Sequence, residues 1–294
     1  MSDNDISKFP EYITFPRTFE KYKWYKPILV LIVGAVTYAI LQAIVMVIFS
    51  AIYGFDVMSP LMRGGYELLN SEVGSYFSYL SVAMFIPSIY MASKIVRDRP
   101  FSSYASSKGG WNWKLYFECL SIPLAIYIVY YIIYTMIHGF VGQNTLTITF
   151  FVVCLILIPL QCIAEEYFMR GFVMQTLGSW FKIPVLALII QALIFASMHT
   201  YSILGVLGVL IDGLVLGFLA WKTNGLEPGS AFHTVNNFSS AMIVALGVDV
   251  ATSVITPTNF AETIVVTLIT AFALYYVGNR QGWFIEKTEK IGQI

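Results

Sequence analysis

Residues 150–172, FFVVCLILIPLQCIAEEYFMRGF, decide the fold of this chain. They lead from a long apolar run, typical of a membrane helix, to Glu165, Glu166 and Arg170. A charged side chain within a membrane span costs about 2.5 to 3.5 kcal/mol on insertion scales. Each of these charges is therefore expected to have an ion-pair partner or a functional role.

The rest of the chain has the same apolar character. Its 294 residues are 57% hydrophobic and only 12% charged, and the mean hydropathy is +0.73. A soluble domain does not have this composition, so lipid must cover most of the protein. The long apolar runs lack the period-2 alternation of barrel strands, so the sequence predicts an all-α polytopic membrane bundle.

Eight apolar runs have about the 20 residues that cross a hydrocarbon core of about 30 Å. The predicted spans are 27–54, 74–96, 114–139, 144–166, 183–200, 202–222, 230–248 and 261–279. All Lys and Arg residues except Arg63 fall on one side of this arrangement. Since cytoplasmic loops keep the positive charge, both termini are predicted to be cytoplasmic.

The predicted organisation is one transmembrane unit with short polar ends. It comprises a cytoplasmic interface anchor at 1–26, a bundle at 27–280 with its motif-bearing core at about 144–248, and a cytoplasmic tail at 281–294. The short loops and the lack of a targeting segment favour the plasma membrane of a prokaryote.

The sequence disfavours a nucleic-acid-binding protein and a fold held by disulfides or a zinc knuckle. It has no basic cluster with interleaved aromatic residues, so no nucleic-acid partner is expected. The stretch FEKYKWYK, residues 19–26, is interpreted as an anchor in the membrane interface. The cysteines, Cys119, Cys154 and Cys162, lack paired metal spacing and indicate neither a disulfide framework nor a zinc knuckle.

The charges after the apolar run differ in their expected pairing. Glu166 and Arg170 are four residues apart and share a helix face, which predicts an ion pair. Glu165 points about 100° away and is left unpaired in this interpretation. Alternatively, all three charges simply mark the cytoplasmic end of the span. Pro159 is expected to kink the helix just before them.

Further polar residues lie in the later spans. His199 follows Phe195 by one helical turn, and Asn237 follows His233 by one turn, so each pair shares a face. A lone intramembrane histidine is most often a satisfied structural group, but several such residues in consecutive spans favour a site. Asp212 lies in mid-span and requires a partner or a proton, with structural and functional roles both open. His138 is interpreted as interfacial.

The spacing of these residues resembles a known family. EEYFMRG (165–171) resembles the signature E-E-x-x-x-R-G, LIFASMH (193–199) resembles F-x-x-x-H, and SAFHTVNN (230–237) resembles H-x-x-x-N. All three are signatures of the CAAX protease and bacteriocin-processing (CPBP, or Abi) family of intramembrane endopeptidases. The resemblance spans about 160–240. Met169 departs from the pattern, since an aromatic residue is common there, and Asp212 has no counterpart in it.

The resemblance implies a peptidase with a cleft that opens toward the cytoplasmic leaflet. Glu165 would act as general base on a water that His199 helps to hold. His233 and Asn237 would stabilise the oxyanion, and Glu166 and Arg170 would support them. The expected substrate is a peptide or a lipidated protein, either with a prenylated C-terminus or with a leader segment.

The need for metal is left open by the sequence. Glu165, His199 and His233 are the right residue types for a zinc site with an open fourth position. The H-E-x-x-H helix of most zinc proteases is absent, so a metal-free mechanism without a cofactor is preferred.

The predicted topology contains one conflict. If the fifth span runs outward from Pro184, His199 lies about 22 Å further along, far from a Glu165 at the inner face. Either residues 171–182 dip into the membrane or the spans are strongly tilted.

Two other functions compete with proteolysis. A non-proteolytic relative would bind a peptide in the same cavity, as in bacteriocin self-immunity. A proton-coupled transporter would use Glu165, Asp212 and the histidines as a relay, although no inverted repeat supports it.

Overall fold

The computed structural model describes residues 10–61 and 71–285. In these residues the fold is all-helical and contains no strand. The helices are a 3₁₀ helix Tyr12–Thr18, α1 Lys26–Tyr53, α2 Phe55–Leu61, α3 Glu72–Ala83, α4 Phe85–Val96, α5 Ser102–Ala105, α6 Trp113–His138, α7 Ile148–Glu166, a π-helix Tyr167–Met174, α8 Gln175–Phe181, α9 Pro184–Ser197, α10 Ile203–Thr223, α11 Glu227–Ala245 and α12 Pro257–Arg280. The predicted fold class is confirmed.

The structure confirms an integral, multi-pass membrane protein. Six stretches of the described chain are long and apolar enough to cross a membrane: Lys26–Tyr53, Glu72–Val96, Trp113–His138, Ile148–Phe181, Ile203–Thr223 and Pro257–Arg280. The predicted span at 183–200 contains α9, whose 14 residues extend only about 21 Å. The predicted span at 230–248 falls on the more polar α11, which is not among the six. The count of eight spans is therefore not confirmed.

Local signals in the sequence start several of these helices. A serine, threonine or asparagine precedes the first residue, and its side-chain oxygen accepts a hydrogen bond from a backbone N–H in the first turn. These N-caps are Ser71 of α3, Asn112 of α6, Thr147 of α7 and Thr256 of α12.

One helical rod carries the first motif. α7, the π-helix and α8 follow one another without a break from Ile148 to Phe181, a stretch of 34 residues. Pro159 lies inside α7. The predicted span ended at 166, but the candidate span of the structure extends to Phe181, and Glu165 lies near its middle.

The position of Glu165 removes the conflict over His199. From Glu165 the rod continues for about 24 Å to Phe181, at 1.5 Å per residue. The chain turns at Lys182, which adopts a left-handed conformation with φ 59°, and α9 then returns for about 22 Å to His199. The two lengths nearly cancel, so His199 lies level with Glu165.

Glycines let α10 lie close to α9. A β-carbon at Gly213 would lie 3.0 Å from the Cβ atom of Ala192, and one at Gly217 would lie 2.7 Å from Nε2 of Gln191. The sequence Gly213-x-x-x-Gly217 is typical of such close helix contacts. This approach brings the backbone of α10 within reach of the first motif.

Both described ends of the chain lie at one end of the bundle, here called the termini end. There, Trp221 donates a hydrogen bond to Glu11 (2.9 Å), and Lys108 donates one to the carbonyl of Phe284 (3.4 Å). The opposite end contains the starts of α3 and α7 and the end of α11. It is joined by bonds such as Thr147 to Glu72, at 3.1 Å.

Candidate active site

Glu166 connects two of the motifs. Its Oε1 atom accepts a hydrogen bond from Arg170 at 2.9 Å and another from Nδ1 of His233 at 3.0 Å. Glu166 and Arg170 are both completely buried. Arg170 also donates to the carbonyl of Gly213, at 3.2 Å. The predicted ion pair is present, and it links α7 and the π-helix to α10 and α11.

Glu165 is not the unpaired carboxylate that the sequence suggested. Its Oε1 atom accepts a hydrogen bond from Nε2 of Gln161 at 2.9 Å, and its Oε2 atom lies 3.5 Å from Nε2 of His233. Gln161 was missed, although it precedes Glu165 by four residues and an amide–carboxylate pair at this spacing is a recognisable signal. The Glu165 side chain is 15% exposed, so part of it remains open to the cavity.

Asn237 lies beside the same imidazole. Its Nδ2 atom is 3.2 Å from Nε2 of His233. Its Oδ1 atom accepts from Asn236 at 3.2 Å, and Asn236 accepts in turn from the hydroxyl of Tyr127 at 2.7 Å. Tyr127 and Asn236 were not predicted. They fix the orientation of the Asn237 carboxamide, and of the two only Tyr127 lies outside the motifs.

His199 is oriented by its own helix. Its Nδ1 atom donates to the carbonyl of Phe195 at 2.8 Å, which leaves Nε2 for the cavity. The Phe195 ring contacts His199 edge to face at 4.9 Å and His233 at 6.2 Å, and it lies 4.6 Å from the guanidinium of Arg170. Phe195 therefore packs the two histidines and Arg170 together.

One cavity of about 1060 Å³ joins the predicted residues. Glu165, His199, His233 and Asn237 all line it. The cavity also reaches Glu72, Asp249 and Glu262, which belong to the opposite end of the bundle. The resemblance implied a cleft toward the predicted cytoplasmic side, where the termini lie, but the described cavity extends away from that end.

The termini end is closed beneath the site by buried side chains. Arg99 donates to Gln175 and to the carbonyl of Gly171, and its guanidinium lies 3.6 Å from the ring centre of Tyr104. Arg99, Gln175 and Tyr104 are all buried. This packing separates the first motif from the solvent at that end.

The remaining sequence candidates have simpler surroundings. Asp212 accepts a hydrogen bond from the hydroxyl of Thr267 at 3.1 Å, so it has a partner, and it lines the cavity. His138 is exposed and lies 4.0 Å from Glu262. The three cysteines are free and buried.

The described side chains are not grouped as a zinc ligand set. Within 10–61 and 71–285, no three His, Cys, Asp or Glu side chains form a group that could hold a metal ion. Nδ1 of His233 bonds to Glu166 and Nδ1 of His199 bonds to a backbone carbonyl, which leaves the Nε2 atom of each ring for other partners. The zinc alternative therefore stays a prediction.

Comparison with known proteins agrees with the motifs. The family model described as type II CAAX prenyl endopeptidase Rce1-like matches residues 147–239, a segment that contains all three motifs. The family resemblance is confirmed over this segment, and the family implies a protease that acts within the membrane.

One relative extends the similarity beyond this segment. The uncharacterized protein YyaK of Bacillus subtilis (strain 168) is 24% identical over 184 residues. The alignment covers 58% of this chain and 62% of YyaK, which is less than two thirds of its length. No solved structure matches the chain.

Proposed function

We propose that this protein is an intramembrane endopeptidase that hydrolyses a peptide bond in the described cavity, with Glu165 as the general base. The observation that carries the proposal is the convergence of a partly exposed carboxylate, two imidazoles and a carboxamide on one cavity. This set supplies a base, a water-binding group and oxyanion donors, which are the groups that amide hydrolysis needs.

In the first step, Glu165 removes a proton from a water molecule that His199 also holds. The hydrogen bond from Gln161 occupies Oε1 of Glu165, so Oε2 is the oxygen that takes the proton. The water oxygen attacks the carbonyl carbon of the peptide, and the carbonyl oxygen becomes an oxyanion. The proton then passes from Glu165 to the leaving nitrogen as the C–N bond breaks.

His233 and Asn237 stabilise the oxyanion. Asn237 contributes its Nδ2–H, which the contact from Asn236 orients. His233 contributes Nε2–H when the ring is protonated, and Glu166 stabilises that charge through Nδ1 at 3.0 Å. When it is shielded from water, one oxyanion donor lowers the activation free energy by about 2.7 to 4 kcal/mol, which appears as a higher kcat. Glu166 and Arg170 act as positioning residues.

The substrate is a membrane-associated peptide or a lipidated protein. The matched family is named for prenyl endopeptidases, and the cavity of about 1060 Å³ is large enough for several residues of an extended chain. No cofactor takes part in the proposed steps.

The decisive experiment is substrate profiling of the reconstituted protein by mass spectrometry. Wild type is compared with Glu165→Ala and with Glu118→Ala, which changes a glutamate of α6 outside the cavity. Cleavage is expected to be lost only in Glu165→Ala and to persist with a chelator. Equal processing by wild type and Glu165→Ala would refute the enzymatic proposal and favour a peptide-binding protein, and loss with the chelator alone would refute the metal-free mechanism.

A further inference from the structure

Apart from the two histidines, the charged side chains that line the cavity have one sign among the described residues. Five of these residues are acidic: Glu72, Glu165, Asp212, Asp249 and Glu262. No lysine or arginine lines it in the part of the chain that the structure describes. A cleft lined by charges of one sign, with low-dielectric walls, concentrates the electric field and attracts ligands of the opposite charge.

Among the described residues, the acidic residues far from the motifs have no lysine or arginine partner, and only His138 lies near one of them, 4.0 Å from Glu262. Glu262 has an Oε2 atom without a hydrogen-bond partner among the described residues. Asp249 accepts a bond from the backbone N–H of Val250 at 2.8 Å. Glu72 accepts from two hydroxyls, those of Tyr76 and Thr147. In the described chain, no lysine or arginine forms an ion pair with these three carboxylates.

Two further features of the wall suit a basic peptide. Tyr130, Tyr131 and Tyr134 of α6 line the cavity, and tyrosine rings attract ammonium and guanidinium groups. Gln161 lines the cavity near Glu165, is only 8% exposed, and has an Oε1 atom without a hydrogen-bond partner among the described residues. A buried free carbonyl of this kind fits a peptide N–H donor.

We propose that the substrate is a cationic peptide, whose lysine or arginine side chains lie among these distant acidic residues while its scissile bond lies at Glu165. The inference rests on the proposed function and specifies its substrate. Along α11, Ala245 lies about 18 Å from His233, which is about five residues of extended chain. The positive charge is therefore expected about five residues from the scissile bond.

The same charges disfavour a substrate with a free carboxylate in the cavity. A prenylated C-terminus would bring its terminal carboxylate to within a few residues of the scissile bond. The described wall offers no lysine or arginine to bind that group, and the acidic residues repel it. A leader-type peptide with basic flanks fits this chemistry better.

Binding of two labelled peptides to the full-length protein in phosphatidylcholine nanodiscs tests the inference. The peptides share an apolar centre and differ in carrying Lys or Glu five residues from it. The Lys peptide is expected to bind about tenfold more tightly at low ionic strength, and the preference should shrink in 1 M salt, where the screening length is about 3 Å.

Variants locate the source of the preference. The double variant Asp249→Asn, Glu262→Gln is expected to lose most of it, whereas Asp56→Asn, an exposed acidic residue outside the cavity, keeps it. Equal affinity for both peptides, tighter binding of the Glu peptide, or a preference that survives the double variant would overturn the inference. The salt titration on wild type tests the same electrostatic preference without a substitution, because a preference that does not shrink with salt would also overturn the inference.

Cleavage of both peptides is followed in parallel, so that the two proposals are separated. A preference for the Lys peptide without cleavage of either would refute the peptidase and leave the charge selectivity. Cleavage of both peptides without a preference would support the peptidase and refute the charge selectivity.

Discussion

Replacing Glu166 with alanine removes the acceptor that Arg170 and His233 share. Both partners are buried, and the guanidinium keeps its charge because Arg is not deprotonated in proteins. Breaking a buried pair from one side costs about 3 to 5 kcal/mol, because it leaves an uncompensated buried charge. For a chain of this size, that cost lowers the melting temperature by roughly 10 °C. Thermal unfolding in detergent, followed by intrinsic fluorescence, measures it.

A second pair with the same spacing provides the control. Lys114 and Glu118 are also four residues apart, with a nitrogen–oxygen distance of 3.7 Å, but the lysine side chain is 84% exposed. Exposed pairs contribute about 0.3 to 0.5 kcal/mol at this spacing, so Glu118→Ala should shift the melting temperature by about 1 °C. Similar shifts for the two variants would refute the idea that burial makes the first pair structural.

Gln161→Leu leaves Glu165 without its hydrogen-bond donor and removes the carbonyl that is proposed to accept from the peptide. It should therefore lower kcat about tenfold and also raise KM, which steady-state kinetics on a cleaved peptide will show; a normal kcat would contradict a positioning role. Gly178→Ala should destabilise the fold, because a β-carbon there would lie 2.5 Å from the carbonyl oxygen of Ile13, and an unchanged melting temperature would contradict this packing. Burial raises the pKa of Glu227, at the termini end, to about 7. Its folded-state pKa is thus above the unfolded value, so its contribution to stability is full below about pH 4.5 and is lost as the pH rises through about 7, by about 3 kcal/mol in total. Glu227→Gln should therefore gain stability relative to wild type between pH 5 and pH 8, and a pH-independent difference between the two would refute this burial effect.

The sequence was sufficient for contacts within one helix. The Glu166–Arg170 pair follows from a spacing of four residues. This prediction succeeded because one helical turn fixes the geometry between the partners.

Contacts between distant segments could not be predicted in the same way. His233 bonds to Glu166 across 67 positions, and no local pattern specifies that distance. The helix also continues past the predicted end of the span at 166. The apolar run ends there, but Arg99, from a distant segment, bonds to Gln175 and to the carbonyl of Gly171 on the continuing helix, and only the folded chain provides those contacts.

The charge distribution at the site connects the mechanism to the substrate. Arg170 and Glu166 compensate each other's charge in the buried layer, and a protonated His233 lies 3.5 Å from the carboxylate of Glu165. The negative charge of the cavity therefore comes from the acidic residues toward the opposite end of the bundle, among them Asp249 and Glu262. A peptide whose basic residues interact with the distant acids presents its neutral backbone to Glu165, and the general base then remains free to act on water.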